Sequence, residues 1–187
     1  MNLPSASLWE FSNTVYHRPG VEAALLTLQQ RVGVDVNMLL LCCWAARHRH
    51  QRIDAAGMGE LVGKASSWQG EVVRPLRRLR QRLKGGFEGV PRIETQTLRE
   101  KVLALELEAE HVEQDYLAAE LPRRAASLSA EQIRAGAVDN SVNYFRVLNV
   151  ELDEELLGCL VHVLAAAVDI DKERAAALWR ESSKRKQ

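Results

Sequence analysis

Cysteine is scarce in this chain, with three residues in 187. Cys42 and Cys43 are adjacent, a poor spacing for pairing with each other, and Cys159 makes the total odd, so a disulfide framework is not expected and a reducing cytoplasm suits the chain best. Long apolar runs are also missing. The longest, Met38 to Ala46, is far too short to cross a bilayer, and the start MNLPSASLWEF has neither a basic beginning nor an apolar signal region. Export and membrane insertion are therefore not expected. Nor is there an excess of either charge: 25 basic and 25 acidic residues cancel, so any attraction to a polyanion has to come from a local patch. No strict two-residue alternation marks a strand, which excludes a sheet from the expected fold, and no internal repeat is present.

What the chain does have is helix-forming material, 47% hydrophobic and 27% charged, in a length that is most economically one domain over residues 1–187. Its organising stretch is Glu94 to Leu121, 28 residues without glycine or proline, which predicts one continuous helix of about 40 Å. Leu98, Val102, Leu105, Ala109, Val112 and Tyr116 alternate by four and three and predict the packed seam. Leu103, Leu107, Leu117 and Leu121 widen the covered surface. The carboxylates of Glu106, Glu108, Glu110, Glu113 and Asp115 are expected on the solvent side, and Pro122 ends the helix.

Start and stop signals divide the remainder, giving an all-α, compact multi-helix bundle of roughly seven to nine helices built around the long one. Ser7 with Glu10 forms a capping box for the first helix, which stops before Arg18-Pro19-Gly20. The second runs to Val32 with Gly33 as its terminator. Asp35 caps the third, DVNMLLLCCWAARHRH, the most apolar helix, with its middle expected in the core and its Arg47 to Arg52 end at the surface. Gly57, Gly59, Gly63 and Gly70 weaken the next region, so residues 53–60 are expected to be flexible before a short helix. EVVRPLRRLRQRLK carries an apolar stripe at Val72, Leu76, Leu79 and Leu83, and the breaker-rich residues 85–93 form a second flexible segment. After a basic, alanine-rich link come a helix capped by Ser129 and Gln132, a buried helix after Asp153, and a last one around Trp179 whose end, 182–187, frays.

The catalytic signals are weak, and each has a simpler account. Glu108-Ala109-Glu110-His111 contains the Glu-x-x-His spacing of di-iron bundles, but no second copy exists and a solvated acidic face explains it. Cys43, His48, His50, Cys159 and His162 lack the paired spacing of a zinc site. Cys159, between Leu157 and Leu160, reads as a core thiol rather than a nucleophile. Asp169 and Asp171, even with Glu151, Asp153 or Glu154, are more simply caps than magnesium ligands. No catalytic, cofactor-binding or metal-binding residues are assigned, and no cofactor is expected.

Six positive charges and no acid between Arg74 and Lys84 stand out more clearly. Arg74, Arg77, Arg78, Arg80, Arg82 and Lys84 make a patch for an acidic protein partner or, less well, nucleic-acid phosphates, unless they pair within the chain with the acidic helix. Trp68 and Phe87 bracket this helix as candidate interface anchors. The expected function is accordingly non-enzymatic association, as an adaptor or regulator, with homodimerisation through the long seam as one form of it. The alternative is a small-ligand protein or enzyme, marked by a deep pocket where His17, His48, His111 or His162 meets carboxylates.

Leu8-Trp9-Glu10-Phe11-Ser12 with Tyr16, then Pro19-Gly20-Val21, then Asp35-Val36-Asn37 and Leu39-Leu40-Leu41-Cys42-Cys43-Trp44, resembles a family of uncharacterised bacterial, specifically proteobacterial, proteins grouped as a domain of unknown function. The resemblance covers roughly the first 120 residues. It implies a small, mainly helical cytoplasmic protein and carries over no catalytic residue. Asn13 and Asn37 stand out in this stretch as caps or polar core contacts.

Overall fold

A computed structural model describes residues 6–122 and 128–185. The basic, alanine-rich link at 123–127 lies outside the described residues, as do 1–5 and 186–187. Every regular element among the described residues is helical: α1 (Leu8–Tyr16), α2 (Val21–Val32), α3 (Val36–Arg49), α4 (Ala55–Trp68), a π segment (Gln69–Val73), α5 (Arg74–Lys84), α6 (Arg92–Ala119), α7 (Ala130–Leu148), α8 (Glu154–Val168) and α9 (Lys172–Arg185). Because α4, the π segment and α5 run on without a break, these form eight rods.

The helix ends follow local chemistry. Ser7 and Glu10 exchange the two bonds of a capping box, as do Ser129 and Gln132. Asp35 Oδ1 accepts from the amides of Asn37 and Met38, and Asp153 Oδ1 from Leu156. Gly33 closes α2 at φ 70°, a conformation that costs a side chain little only when it is absent.

α3 is the centre of the core. It is apolar on all sides, and every residue from Asn37 to Ala46 is buried, so other helices must surround it. α7 packs on one side, close enough that a Cβ on Gly136 would stand 3.4 Å from the Ala46 methyl. α1, α6 and α8 contact α3 elsewhere, α2 lies on α8, and α9 rests on α7 and α8. Asp169 fastens the far end of α8 by pairing with Arg18 and Arg47.

α4 begins at Ala55, so most of the glycine-containing segment is helical, with Met58, Leu61 and Ala65 buried. Pro75 explains the π segment that follows. A proline inside a rod lacks an N–H and crowds the preceding turn; here the chain widens just upstream, and the Arg74 amide bonds Gln69 O, five residues back. Leu61, Ala65, Gln69 and Val73 form the buried line of this rod, so Val73 rather than Val72 faces inward and Leu79 is half exposed. Of the expected stripe, Leu83 is buried and Leu76 half-buried, whereas Val72 gives way to Val73 and Leu79 turns outward. α9 continues to Arg185, past the expected point of fraying, because Ser182 is buried and donates to Asp139 Oδ1 at 2.5 Å.

α6 is the long helix, but its orientation differs from the expected seam. Val102 and Ala109 are buried, whereas Leu98, Leu105, Val112 and Tyr116 are about half exposed. The buried side includes Glu106, Glu113 and Gln114 instead. These polar residues turn inward because α3, the π segment and α5 present donors to them, as the site geometry shows.

Candidate functional site: a polar cleft between α1, α3, α5 and α6

α1, α2, the 33–37 connection, α3, α5 and α6 enclose a cavity of about 510 Å³. That volume lies within the usual size of small-molecule sites, roughly 300–1,000 Å³. Apolar walls come from Trp9, Tyr16, Leu26, Val36, Leu40, Leu103 and Leu107; the rest is polar.

Two arginines of α5 form the floor of charge. Arg77 Nε donates to Glu106 Oε1 at 2.9 Å and its Nη2 to Glu110 Oε1 at 2.5 Å, while Arg80 donates to both oxygens of Glu106. Burial disfavours the Glu106 charge, but these guanidinium bonds outweigh it and hold the carboxyl below its ordinary range. Glu110 moves the other way. Burial raises it, and Arg77, already shared with Glu106, compensates only in part.

Beside the floor runs a chain of side-chain amides. Gln114 Nε2 donates to Asn37 Oδ1 at 2.7 Å, Asn37 Nδ2 donates to Glu113 Oε2 at 2.7 Å, and Gln69 Nε2 reaches the same oxygen at 2.6 Å. The π segment places Gln69 for this contact. Glu113 is 1% exposed, and its pKa is pushed up to about 8 by burial first and then by the nearby Asp35 charge. Burial also raises Asp35 itself.

Three oxygens in this region are buried without a hydrogen-bond partner among the described residues: Ser12 Oγ, Gln114 Oε1 and Glu113 Oε1. Ser12 and Gln114 line the cavity and are 5% and 3% exposed. His17 also lines it, together with Glu22, Asp35 and Glu110, and its Nδ1 bonds Asn13 O at 2.7 Å, which assigns the proton to Nδ1 and leaves Nε2 available. Asn13 lines the cleft and Asn37 is its buried hinge. Elsewhere, His111 stacks on Trp9 and His162 bonds Pro19 O at 2.9 Å. Among the described residues, no group of three or more His, Cys, Asp or Glu is arranged to hold a metal ion, and no helix is long and apolar enough to cross a membrane.

The basic helix is divided between two environments. Arg77 and Arg80 belong to the cleft, paired with α6, whereas Arg74, Arg78, Arg82 and Lys84 are exposed. Phe87 is also exposed, with the Arg82 guanidinium 4.1 Å over its ring. Trp68 is half buried, and its indole N–H donates to Ala109 O at 2.9 Å, so it anchors α4 to α6.

A family model described as a protein of unknown function (DUF2390) matches residues 7–117. The chain belongs to this family. The matched segment contains every residue lining the cleft, from Trp9 to Gln114, and excludes α7, α8 and α9. No curated protein and no solved structure matches the chain.

Ser12, Gln69, Glu106, Glu113 and Gln114 are the site residues that sequence reasoning missed. Glu106 and Glu113 fall at four-and-three spacing with Val102 and Ala109, and Leu117 lies one turn further on, so a carboxylate admitted as an inward residue completes this face. Ser12 and Gln114 carry no such signal.

Proposed function

We propose that the protein binds a small polar organic molecule in the cleft between α1, α3, α5 and α6. The observation that carries this reading is the pair of oxygens, Ser12 Oγ and Gln114 Oε1, that are buried without a partner among the described residues in two side chains lining a cavity large enough for a ligand. A buried polar atom without a partner costs about 1–3 kcal/mol, and a bound molecule that supplies the missing donor recovers it. Binding is favoured over turnover because the Ser12 hydroxyl has no base bonded to it. The free thiols of Cys42, Cys43 and Cys159 suit a reducing cytoplasm. A polar fragment screen read by amide chemical shifts tests the proposal. Hits are expected to move the Ser12, Asn37 and Gln114 resonances; a screen in which no fragment moves them overturns it.

The free side of α5 favours a second role, association with an acidic protein surface. Arg74, Arg78 and Lys84 are exposed beside the half-exposed Leu79, Phe87 and Val90. A second copy supplies such a surface: Leu98, Leu105, Val112 and Tyr116 continue the apolar area along α6 toward exposed Glu108, Asp115 and Glu120. Antiparallel pairing of two α6 helices brings the basic end of each to the acidic end of the other. Sedimentation at low salt is expected to show a dimer that R78E/K84E weakens. A monomer at all accessible concentrations overturns this role, and salt-dependent retention of nucleic acid by the same arginines replaces it.

A further inference from the structure

The direction of the amide chain specifies what the cleft lacks. Asn37 Nδ2 donates to Glu113 and its Oδ1 accepts from Gln114, so Gln114, a residue of the cavity lining, has its Nε2 engaged and its Oε1, an acceptor, left buried without a partner among the described residues. A molecule placed against it has to donate. The Ser12 hydroxyl, with no protein partner, can accept as well.

Charge points the same way. Glu22, Asp35, Glu106 and Glu110 line the cavity against two guanidiniums, Arg77 and Arg80. Both guanidiniums are directed at α6, Arg80 to Glu106 alone and Arg77 to Glu106 and Glu110. The Asp35 carboxyl accepts from the two amides at the start of α3 and forms no ion pair of 4 Å or less among the described residues. The cleft is therefore short of positive charge, and the carboxyls of Asp35 and Glu110, both raised by burial, lack full compensation. An anionic ligand would add to the imbalance. A metal ion finds no three-ligand group here among the described residues.

We propose that the molecule held in the cleft is a small amphipathic amine, with its ammonium between Gln114 Oε1, Ser12 Oγ and the Asp35 and Glu110 carboxyls and its apolar body against Trp9, Leu103 and Leu107. An ammonium supplies three donors and requires no acceptor, which matches the unpartnered atoms, and the indole face of Trp9 attracts a cation as well as an apolar body. This inference rests on the ligand-binding reading of the cleft and adds the chemical class.

Three probes that share one apolar body, 2-phenylethylamine, 2-phenylethanol and phenylacetate, separate the class from the site. Titrated into the full chain with amide shifts as the readout, the amine is expected to bind at least about tenfold more tightly than the alcohol, the value of one charge-assisted hydrogen bond, and the acid not at all. Gln114→Leu should weaken the amine by about tenfold and the alcohol, whose hydroxyl donates only a neutral hydrogen bond, by less. Ser12→Ala, which removes a hydroxyl with little change of volume, gives the same ordering in a variant that keeps the fold. If the alcohol or the acid binds as tightly as the amine, at the same residues, the amine class is wrong while the site stands. If none of the three, and no fragment of the wider screen, moves a cleft resonance, both readings fall together.

Discussion

Two buried polar networks flank α3, and they are finished differently. On the α7 side, Asn140 Nδ2 donates to Cys42 O at 3.0 Å and Gln51 O at 3.1 Å, its Oδ1 accepts from the Ile53 amide at 2.7 Å, and Asn143 Nδ2 donates to Ile53 O at 2.6 Å. These bonds hold the irregular chain between α3 and α4, whose backbone groups would otherwise be buried without partners. On the α6 side, the chain through Gln114, Asn37, Glu113 and Gln69 uses the same kinds of side chain but leaves two oxygens, Gln114 Oε1 and Glu113 Oε1, without a partner among the described residues, with the unpartnered Ser12 Oγ on the same cleft. A closed network specifies structure, and an open one beside a cavity indicates that something from outside completes it.

Removing the closed network should have the largest effect. Asn140→Leu takes the side-chain partner from the Gln51 carbonyl and the Ile53 amide in the core, and a second bond from the helical Cys42 carbonyl, and is expected to lower stability by about 4 kcal/mol, read by urea unfolding. A loss below about 1 kcal/mol would show that water reaches these groups and would erase the contrast. Next comes the floor of the cleft. Arg77→Met leaves the nearly fully buried Glu106 to Arg80 alone and takes the guanidinium from Glu110, for an expected loss of about 3 kcal/mol in the same assay.

Glu113 gives the comparison a pH signature. Its carboxyl titrates near the ordinary 4.5 in the unfolded chain and at about 8 in the folded protein, so the folded state retains the proton over that interval. The stabilisation is complete below pH 4.5 and is lost as the pH rises through about 8. The steepest slope is about 1.4 kcal/mol per pH unit for one proton. Asp35 and Glu110, also raised, add to the decline with the same sign. Glu113→Gln should flatten much of the decline in unfolding free energy between pH 5 and 8. An unchanged profile would assign the titration to another group.

The smallest effect is expected on the outer side of α5. Arg78→Ala, at an exposed residue with no ion pair among those described, should change stability by no more than about 0.5 kcal/mol by thermal unfolding. Arg77 and Arg78 are neighbours in sequence with expected costs several-fold apart. A similar loss at both would mean that the α5–α6 pairing is not the cause.

What could be read without coordinates follows distance along the chain. The capping boxes at Ser7 and Ser129, the Gly33 terminator, the Asp35 cap and the burial of Met38–Ala46 depend on residues within one or two turns, and these expectations agree with the structure. The length of α6 was legible for the same reason. The cleft was not, because α6 offers two amphipathic faces: an apolar seam through Leu98, Leu105 and Val112, and a mixed face through Val102, Glu106, Ala109 and Glu113. Hydrophobicity alone selects the first, whereas the folded chain buries the second.

By itself, then, the amino-acid order determined where helices begin and end and that α3 is enclosed, since hydrogen-bond satisfaction at helix ends and exclusion of apolar side chains are local demands. Only the tertiary structure decided which side of α6 turns inward. A carboxylate is costly to bury alone and tolerable beside donors, and Arg77, Arg80, Asn37 and Gln69 reach α6 only once α3 and the α4–α5 rod, with its π segment, have been packed against it.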